Sequence, residues 1–174
     1  MPGHCPGFGT QAFSLEVCEN TGILMYSTVL FLHSWIRWLA VLAGLLATAA
    51  AIRKDSIGLT RAQRRGFIFM IALDLQVLLG LLLYGVLSPF TAQAMSDFGA
   101  AMRDPVLRYW AVEHFTMMLA AAVLVHVGRV LARKAASAEQ KRKRLLICFG
   151  LATVLMLAGI PWPGMENARE LFRF

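Results

Sequence analysis

The chain has 174 residues, of which 58% belong to the hydrophobic set and 16% are charged, and its mean hydropathy is +0.62. This apolar content exceeds that of an ordinary soluble domain of similar length, so the composition excludes that class. The formal net charge of +7 would suit a nucleic-acid partner. The basic residues, however, are concentrated between apolar segments, which is typical of membrane topology. We therefore expect an integral membrane protein in a lipid bilayer, with no nucleic-acid partner.

Four apolar segments follow one another along the chain, at residues 27–51, 66–88, 109–132 and 145–164. Each has about 20 to 25 residues, which at about 1.5 Å per residue is enough to cross a hydrocarbon core of about 30 Å. Prolines occur only near their ends, so continuous helices are expected. The sequence predicts an all-α membrane protein, a four-transmembrane-helix bundle forming one domain over residues 27–164.

The basic residues predict the orientation of this bundle. Of the 17 Lys and Arg residues, 11 lie between the first and second segments or between the third and fourth. They are Arg53, Lys54, Arg61, Arg64, Arg65, Arg133, Lys134, Lys141, Arg142, Lys143 and Arg144. By the positive-inside rule both connecting segments face the cytoplasm, and both termini lie outside.

The two ends of the chain are predicted to be tails, at residues 1–26 and 165–174. The first tail has neither a basic n-region nor an apolar h-region, so it is not a secretory signal. We expect it to be disordered, or to arise from a start assigned upstream of Met25. A disulfide between Cys5 and Cys18 is one option, and the absence of a CxxCH motif excludes covalent haem attachment.

Ionisable side chains at membrane depth cost free energy, so each indicates a candidate site. His33 and His114 are both predicted to lie roughly 8 to 9 Å below the outer boundary, on spans that run in the same direction. Arg37 and Glu113 would complete this outer layer, and an ion pair between them would lock the first span to the third.

A second polar layer is predicted nearer the cytoplasm. It consists of Asp74, Gln76, His126 and Arg129, and Asp74 could meet His126 there. His126 lies 12 residues from His114, about 18 Å along the helix axis, so one small site cannot use both.

Two histidines at equal depth on different helices suit a b-type haem, with His33 and His114 as the iron ligands. The neighbouring aromatic residues Trp38 and Trp110 could wall the macrocycle. Either Arg37 or Arg108 could bind its propionates.

Other interpretations of the same residues remain open. The histidines could be satisfied by each other, by backbone carbonyls or by Glu113, and the tryptophans could form an interfacial belt. A non-haem metal site is less favoured because the chain has no HExxH motif. A small transporter could use the same polar residues as a proton path.

Five stretches together resemble a family of small bacterial four-helix membrane proteins loosely labelled cytochrome b-like. They are LHSWIRW (32–38), LDLQVLLGLLLY (73–84), DPVLRYWAVEH (104–114), HVGR (126–129) and AGIPWPG (158–164). The resemblance covers residues 25–174. It implies a multi-pass protein of the bacterial inner membrane that binds haem b through His33 and His114, and in that membrane the outside termini predicted above would be periplasmic.

The predicted function is electron transfer through this haem, near the outer face. The expected partner is a quinone or a redox protein, and a homodimer is a further option. An enzyme with its own substrate is less favoured, because two histidine ligands leave no open iron position. The alternative is a non-redox membrane protein, either a small transporter or an assembly subunit.

Overall fold

The computed structural model describes the backbone of residues 11–171 and the side chains of residues 20–171. Its seven α-helices are α1 (Gln11–Ile52), α2 (Ser56–Leu82), α3 (Pro89–Ser96), α4 (Phe98–Ala101), α5 (Pro105–Arg108), α6 (His114–Arg133) and α7 (Ala138–Ala158). Two π-helical turns extend them, Leu83–Leu87 after α2 and Tyr109–Glu113 before α6.

Among the described residues, three helical stretches are long and apolar enough to cross a membrane: Asn20–Ile52, Ser56–Leu87 and Pro105–Arg133. They correspond to the first three predicted segments. The fourth differs from its predicted range, because α7 covers Ala138–Ala158 rather than 145–164. Its first two turns are strongly charged, and the apolar remainder, 145–158, has 14 residues. At about 1.5 Å per residue it spans about 21 Å, less than a full hydrocarbon core.

The second helix begins ten residues earlier than the predicted start at residue 66 (66 − 56 = 10). Asp55 is its N-cap, and the carboxylate accepts a 2.6 Å hydrogen bond from the Gly58 N–H. Such a cap starts a helix irrespective of hydropathy. The charged residues 56–65 therefore form the first turns of α2, and only residues 53–55 connect α1 to α2.

The four long helices form a bundle in which α1 packs against α2 and α7, and α6 packs against α7 and α2. The core is filled by side chains such as Phe69 and Phe149, whose rings meet edge to face at 5.9 Å. Gly66 allows the Phe149 ring to lie close against α2, since a Cβ on Gly66 would overlap that ring. We call the end of the bundle with the connections 53–55 and 134–137 the turn end.

At the opposite end, α3 to α5 and a C-terminal strap, residues 159–171, cover the long helices, and we call this the strap end. The strap folds back onto α1, where Arg37 Nη2 and Trp38 Nε1 donate to the Leu171 carbonyl at 2.7 and 3.1 Å. The residues of the predicted C-terminal tail that are described, 165–171, thus pack against the bundle.

The predicted N-terminal tail is helical where it is described, because α1 begins at Gln11. Its first ten residues and the Cys5–Cys18 pairing lie outside the residues whose side chains are described.

Candidate functional site

A cleft opens near the strap end, between α1, α2, α6 and the start of α3. It holds about 780 Å³ of unfilled space, a volume that includes the solvent at its open mouth. Its walls are largely apolar and aromatic. They comprise Tyr26, Leu30, His33, Gln76, Val77, Gly80, Leu81, Leu83, Tyr84, Ser88, Phe90, Thr91, Trp110, His114, Phe115, Met118, Leu119 and Arg169.

His33 projects from α1 into this cleft and is held by Gln76 of α2. The Gln76 amide Nε2 donates to the His33 carbonyl at 3.0 Å and lies 3.1 Å from the His33 ring Nε2. The other ring nitrogen, Nδ1, is buried and has no hydrogen-bond partner among the described residues. Gly80 allows the ring to pack closely on α2, because a Cβ there would lie only 3.3 Å from His33 Cε1. The ring thus has one nitrogen without a partner.

Gln76 therefore belongs to the His33 site, and its predicted place in the inner layer beside Asp74 is wrong. The prediction counted depth from residue 66, whereas α2 begins at Ser56. Because only residues 53–55 separate α1 from α2, the antiparallel pairing of the two helices sets Gln76 opposite His33.

His114 is the first residue of α6, and its Nδ1 lies 2.8 Å from the Gly159 carbonyl. A carbonyl only accepts hydrogen bonds, so Nδ1 carries the proton and the neutral ring has its lone pair on Nε2. Tyr109 donates its hydroxyl to the same carbonyl at 2.8 Å. This arrangement fixes both the ring orientation and the tautomer of His114.

The two histidine rings come together across the cleft, with their centroids 6.4 Å apart and their planes at 66°. His33 and His114, which lie on two helices that run in the same direction, thus belong to one site.

Both π-helical turns border this site. Tyr84, in the first turn, stacks on Phe115 at 4.4 Å and donates its hydroxyl to the Ala111 carbonyl of the second turn at 2.9 Å. A π-turn leaves a backbone carbonyl without its usual helical partner, and such turns occur often at functional sites. The sequence analysis missed both turns, since nothing in the hydropathy pattern marks them.

The arginine that lines the cleft is Arg169 of the strap, which the sequence analysis did not select. Its guanidinium carbon lies 4.5 Å from the Phe90 ring and 4.7 Å from the Trp110 ring, and Nη1 donates to the Tyr26 hydroxyl at 3.3 Å. Long-range folding of the strap brings it here, so no local pattern could have identified it.

The other predicted members of the outer site lie beside the cleft. Glu113 pairs with Arg108 at 2.7 Å, not with Arg37 as predicted, because the π-turn places Glu113 on the same side as Arg108. Arg37 and Trp38 bind the strap through the Leu171 carbonyl. Of the predicted haem neighbours, Trp110 lines the cleft, whereas Trp38, Arg37 and Arg108 are not among its lining residues.

The predicted contact in the inner layer is present, with His126 Nε2 2.8 Å from Asp74 Oδ1. Both side chains are about half exposed, at 49% and 45%. Arg129, one turn further along α6, donates to the Gln63 carbonyl at 3.2 Å and stacks over the Phe67 ring at 5.1 Å.

In the described part of the chain, no three His, Cys, Asp or Glu side chains converge where they could hold a bare metal ion.

Fold and site together define an all-helical chain with three membrane-length apolar helices and a cleft between two histidines. No protein-family model, curated protein or solved structure matches it.

Proposed function

We propose that this chain is a b-type cytochrome-like electron carrier of the bacterial inner membrane, with haem b held between His33 and His114. The observation that carries the proposal is the 6.4 Å separation of these two imidazoles across an apolar cleft. Metal–nitrogen bonds of about 2 Å to each ring are compatible with this separation. His33 and His114 are therefore the residues that would hold the haem.

The hydrogen bonds of the histidines support the same proposal. Metal-ligating histidines usually donate their second ring N–H to a carbonyl or carboxylate. His114 makes such a contact with Gly159, which leaves its Nε2 lone pair for a ligand. His33 has one buried nitrogen without a protein partner among the described residues.

Arg169 is our proposed anchor for the haem propionates, in place of Arg37 and Arg108. It lines the cleft, and stacking on Phe90 and Trp110 holds its guanidinium in position. Guanidinium–carboxylate hydrogen bonds are among the stronger polar contacts in proteins. The aromatic walls would exclude water from the macrocycle.

Bound between His33 and His114, the haem would supply one-electron transfer. The residues of the chain would fix its orientation and neutralise its carboxylates. Because the cleft opens at the strap end, we propose that electrons pass there to a quinone or to a redox protein.

The proposed topology has four spans, the fourth formed by α7 together with the start of the strap, and periplasmic termini. The support is the distribution of charge, since 11 of the 17 basic residues lie in or near the turn end. The short apolar part of α7 could be accommodated by local thinning of the bilayer, or by its flanking Arg and Lys reaching to the interface.

One observation favours a non-redox alternative. Gln76 already joins His33 to α2, and Gly159 already joins His114 to the end of α7. The same side chains could therefore serve as helix-to-helix contacts in a transporter or structural subunit.

Haem content per chain separates these two functions. The protein is produced with a haem supply, purified in detergent and assayed as the pyridine haemochrome, alongside His33→Ala, His114→Ala and His126→Ala. We expect about one haem per chain in the wild type and in His126→Ala, and a loss of at least tenfold in the other two. Equal haem in all three variants, or a folded wild type with none, contradicts the proposal.

A further inference from the structure

The contact between Asp74 and His126 lies on the outer surface of the bundle, between α2 and α6. The two side chains are 45% and 49% exposed, although they form a 2.8 Å contact with each other. Asp74 has a second carboxylate oxygen, and within the described residues no hydrogen bond to it is present. The pair thus leaves one carboxylate oxygen of Asp74 without a partner in the described part of the chain.

The surroundings of the pair are apolar. On α2, Phe67, Ile71 and Leu78 flank Asp74 at helical spacing and are 48%, 50% and 64% exposed. On α6, Val123 and Val130 flank His126 at helical spacing and are 59% and 38% exposed. We call this surface, the exposed residues of α2 and α6 around Asp74 and His126, the polar-centred face.

In the topology proposed above, this face would lie against the hydrocarbon core. Asp74 lies within the apolar stretch Ser56–Leu87 and His126 within Pro105–Arg133. Ionisable groups inside a membrane nearly always face a bundle interior, a cavity or another helix, because lipid gives them no hydrogen-bond partner. Half-exposed acid and base groups in the centre of an apolar face therefore indicate that protein covers it.

We propose that a second copy of this chain covers the polar-centred face, forming a twofold-symmetric dimer. The argument is charge complementarity. The face carries an acidic group, Asp74, and, one turn beyond His126 on α6, the guanidinium of Arg129, which has further N–H groups besides the Nη1 donor to Gln63. In a twofold interface the same patch meets itself, so Asp74 of each copy can approach Arg129 of the other. Polar contacts of this kind hold membrane helices together in an environment where apolar burial alone gives little preference.

A second copy offers a hydrogen-bond partner to the Asp74 oxygen that His126 does not contact, whereas lipid offers none. The inference uses the proposed membrane topology but not the haem, because the polar-centred face and the cleft share no lining residue. A colourless protein would leave it intact.

Site-directed disulfide formation in native membranes tests the proposal in the full-length chain. Cys5, Cys18 and Cys148 are replaced by alanine, and a single cysteine is placed at Ile71 or Val130 on the face, or at Leu151 as the control. Leu151 is 52% exposed on α7, a helix that contributes no residue to the polar-centred face. After mild oxidation we expect a covalent homodimer for at least one face position and none for Leu151→Cys.

The paired substitution Asp74→Leu with His126→Leu then removes the polar centre without leaving either group unpaired. When this pair of substitutions is added to the single-cysteine variant that forms the covalent dimer, we expect the yield of that dimer to fall at least fivefold. Size-exclusion chromatography and circular dichroism check that this variant folds. An unchanged yield, equal cross-linking through Leu151→Cys, monomers at both face positions, or covalent adducts with another protein would each overturn the proposal.

Discussion

His33 of α1 and His114 of α6 face each other across one cleft, with ring centroids 6.4 Å apart. They are 81 positions apart in the chain (114 − 33 = 81) and meet because both helices run from the strap end to the turn end. The proposed function depends on this juxtaposition. The cleft beside the His33 ring can be changed by substitutions that leave both histidines in place.

Gly80 and Gly85 offer a matched pair for that purpose. A side chain at Gly80 would meet the His33 ring, whereas nothing lies within 4 Å of a Cβ on Gly85. We expect Gly80→Leu to lower haem content at least fivefold by filling the cleft, while Gly85→Leu retains the wild-type content. The pyridine haemochrome assay measures both. Equal haem in the two variants would show that the space beside His33 is not used.

Arg169 is expected to contribute to haem retention more than either arginine chosen from the sequence. Losing a hydrogen bond to a charged group costs about 1.5 to 3 kcal/mol, which corresponds to roughly a tenfold to hundredfold weaker affinity. We predict that Arg169→Ala weakens haem retention by this factor, measured as the rate and extent of transfer to an apo-myoglobin acceptor. Arg108→Ala is the control, because Arg108 pairs with Glu113 beside the cleft. A larger effect at Arg108 would argue against our propionate assignment.

Gly66 tests the packing that holds α2 against α7. A Cβ at this position would overlap the Phe149 ring, which is fully buried in the core. Overpacking of this kind typically costs about 1 to 3 kcal/mol. We expect Gly66→Ala to lower the free energy of unfolding by that amount in a detergent denaturation titration, and Gly85→Ala to lower it far less. Partial recovery in Gly66→Ala with Phe149→Leu would identify the ring as the cause.

The ionisation of Asp55, at the turn end, makes the free energy of unfolding depend on pH. Its carboxylate accepts hydrogen bonds from Arg53 and from the Gly58 N–H, and these lower the pKa of Asp55 below its ordinary value of 3.8. A carboxyl group whose folded pKa is lowered stabilises the fold above the unfolded pKa and loses that contribution as the pH falls through the folded value.

We therefore predict that wild type is more stable than Asp55→Asn at neutral pH, and that the difference shrinks below pH 3.8. Asparagine keeps an N-cap acceptor, so the comparison isolates the charge. Denaturation midpoints of the two proteins, measured side by side from neutral to acid pH, check this. A difference that does not change with pH would contradict the linkage.

Part of the fold could be predicted because membrane helices follow hydropathy. The long apolar runs identified three membrane-length helices, and the match in depth of His33 and His114 follows from counting residues along parallel helices. The boundaries were less predictable, since capping by Asp55 starts α2 inside a charged segment that hydropathy assigns to a loop.

The remainder of the site depends on long-range contacts. Gly159 and Arg169 reach the cleft through the folded-back strap, which leaves no periodic pattern in the sequence. The contact between Gln76 and His33 could be predicted only with the true length of the connection between α1 and α2. Sequence reasoning could therefore select the two histidines but not the groups that orient them.

The central claim, a haem held between His33 and His114, is tested most directly by a reduced-minus-oxidised absorption spectrum of the purified wild-type protein. We predict a b-type difference spectrum that is lost in His33→Ala and His114→Ala and retained in His126→Ala. A well-folded protein, produced with a haem supply, that shows no redox-dependent absorbance would contradict the claim and favour the non-redox alternative.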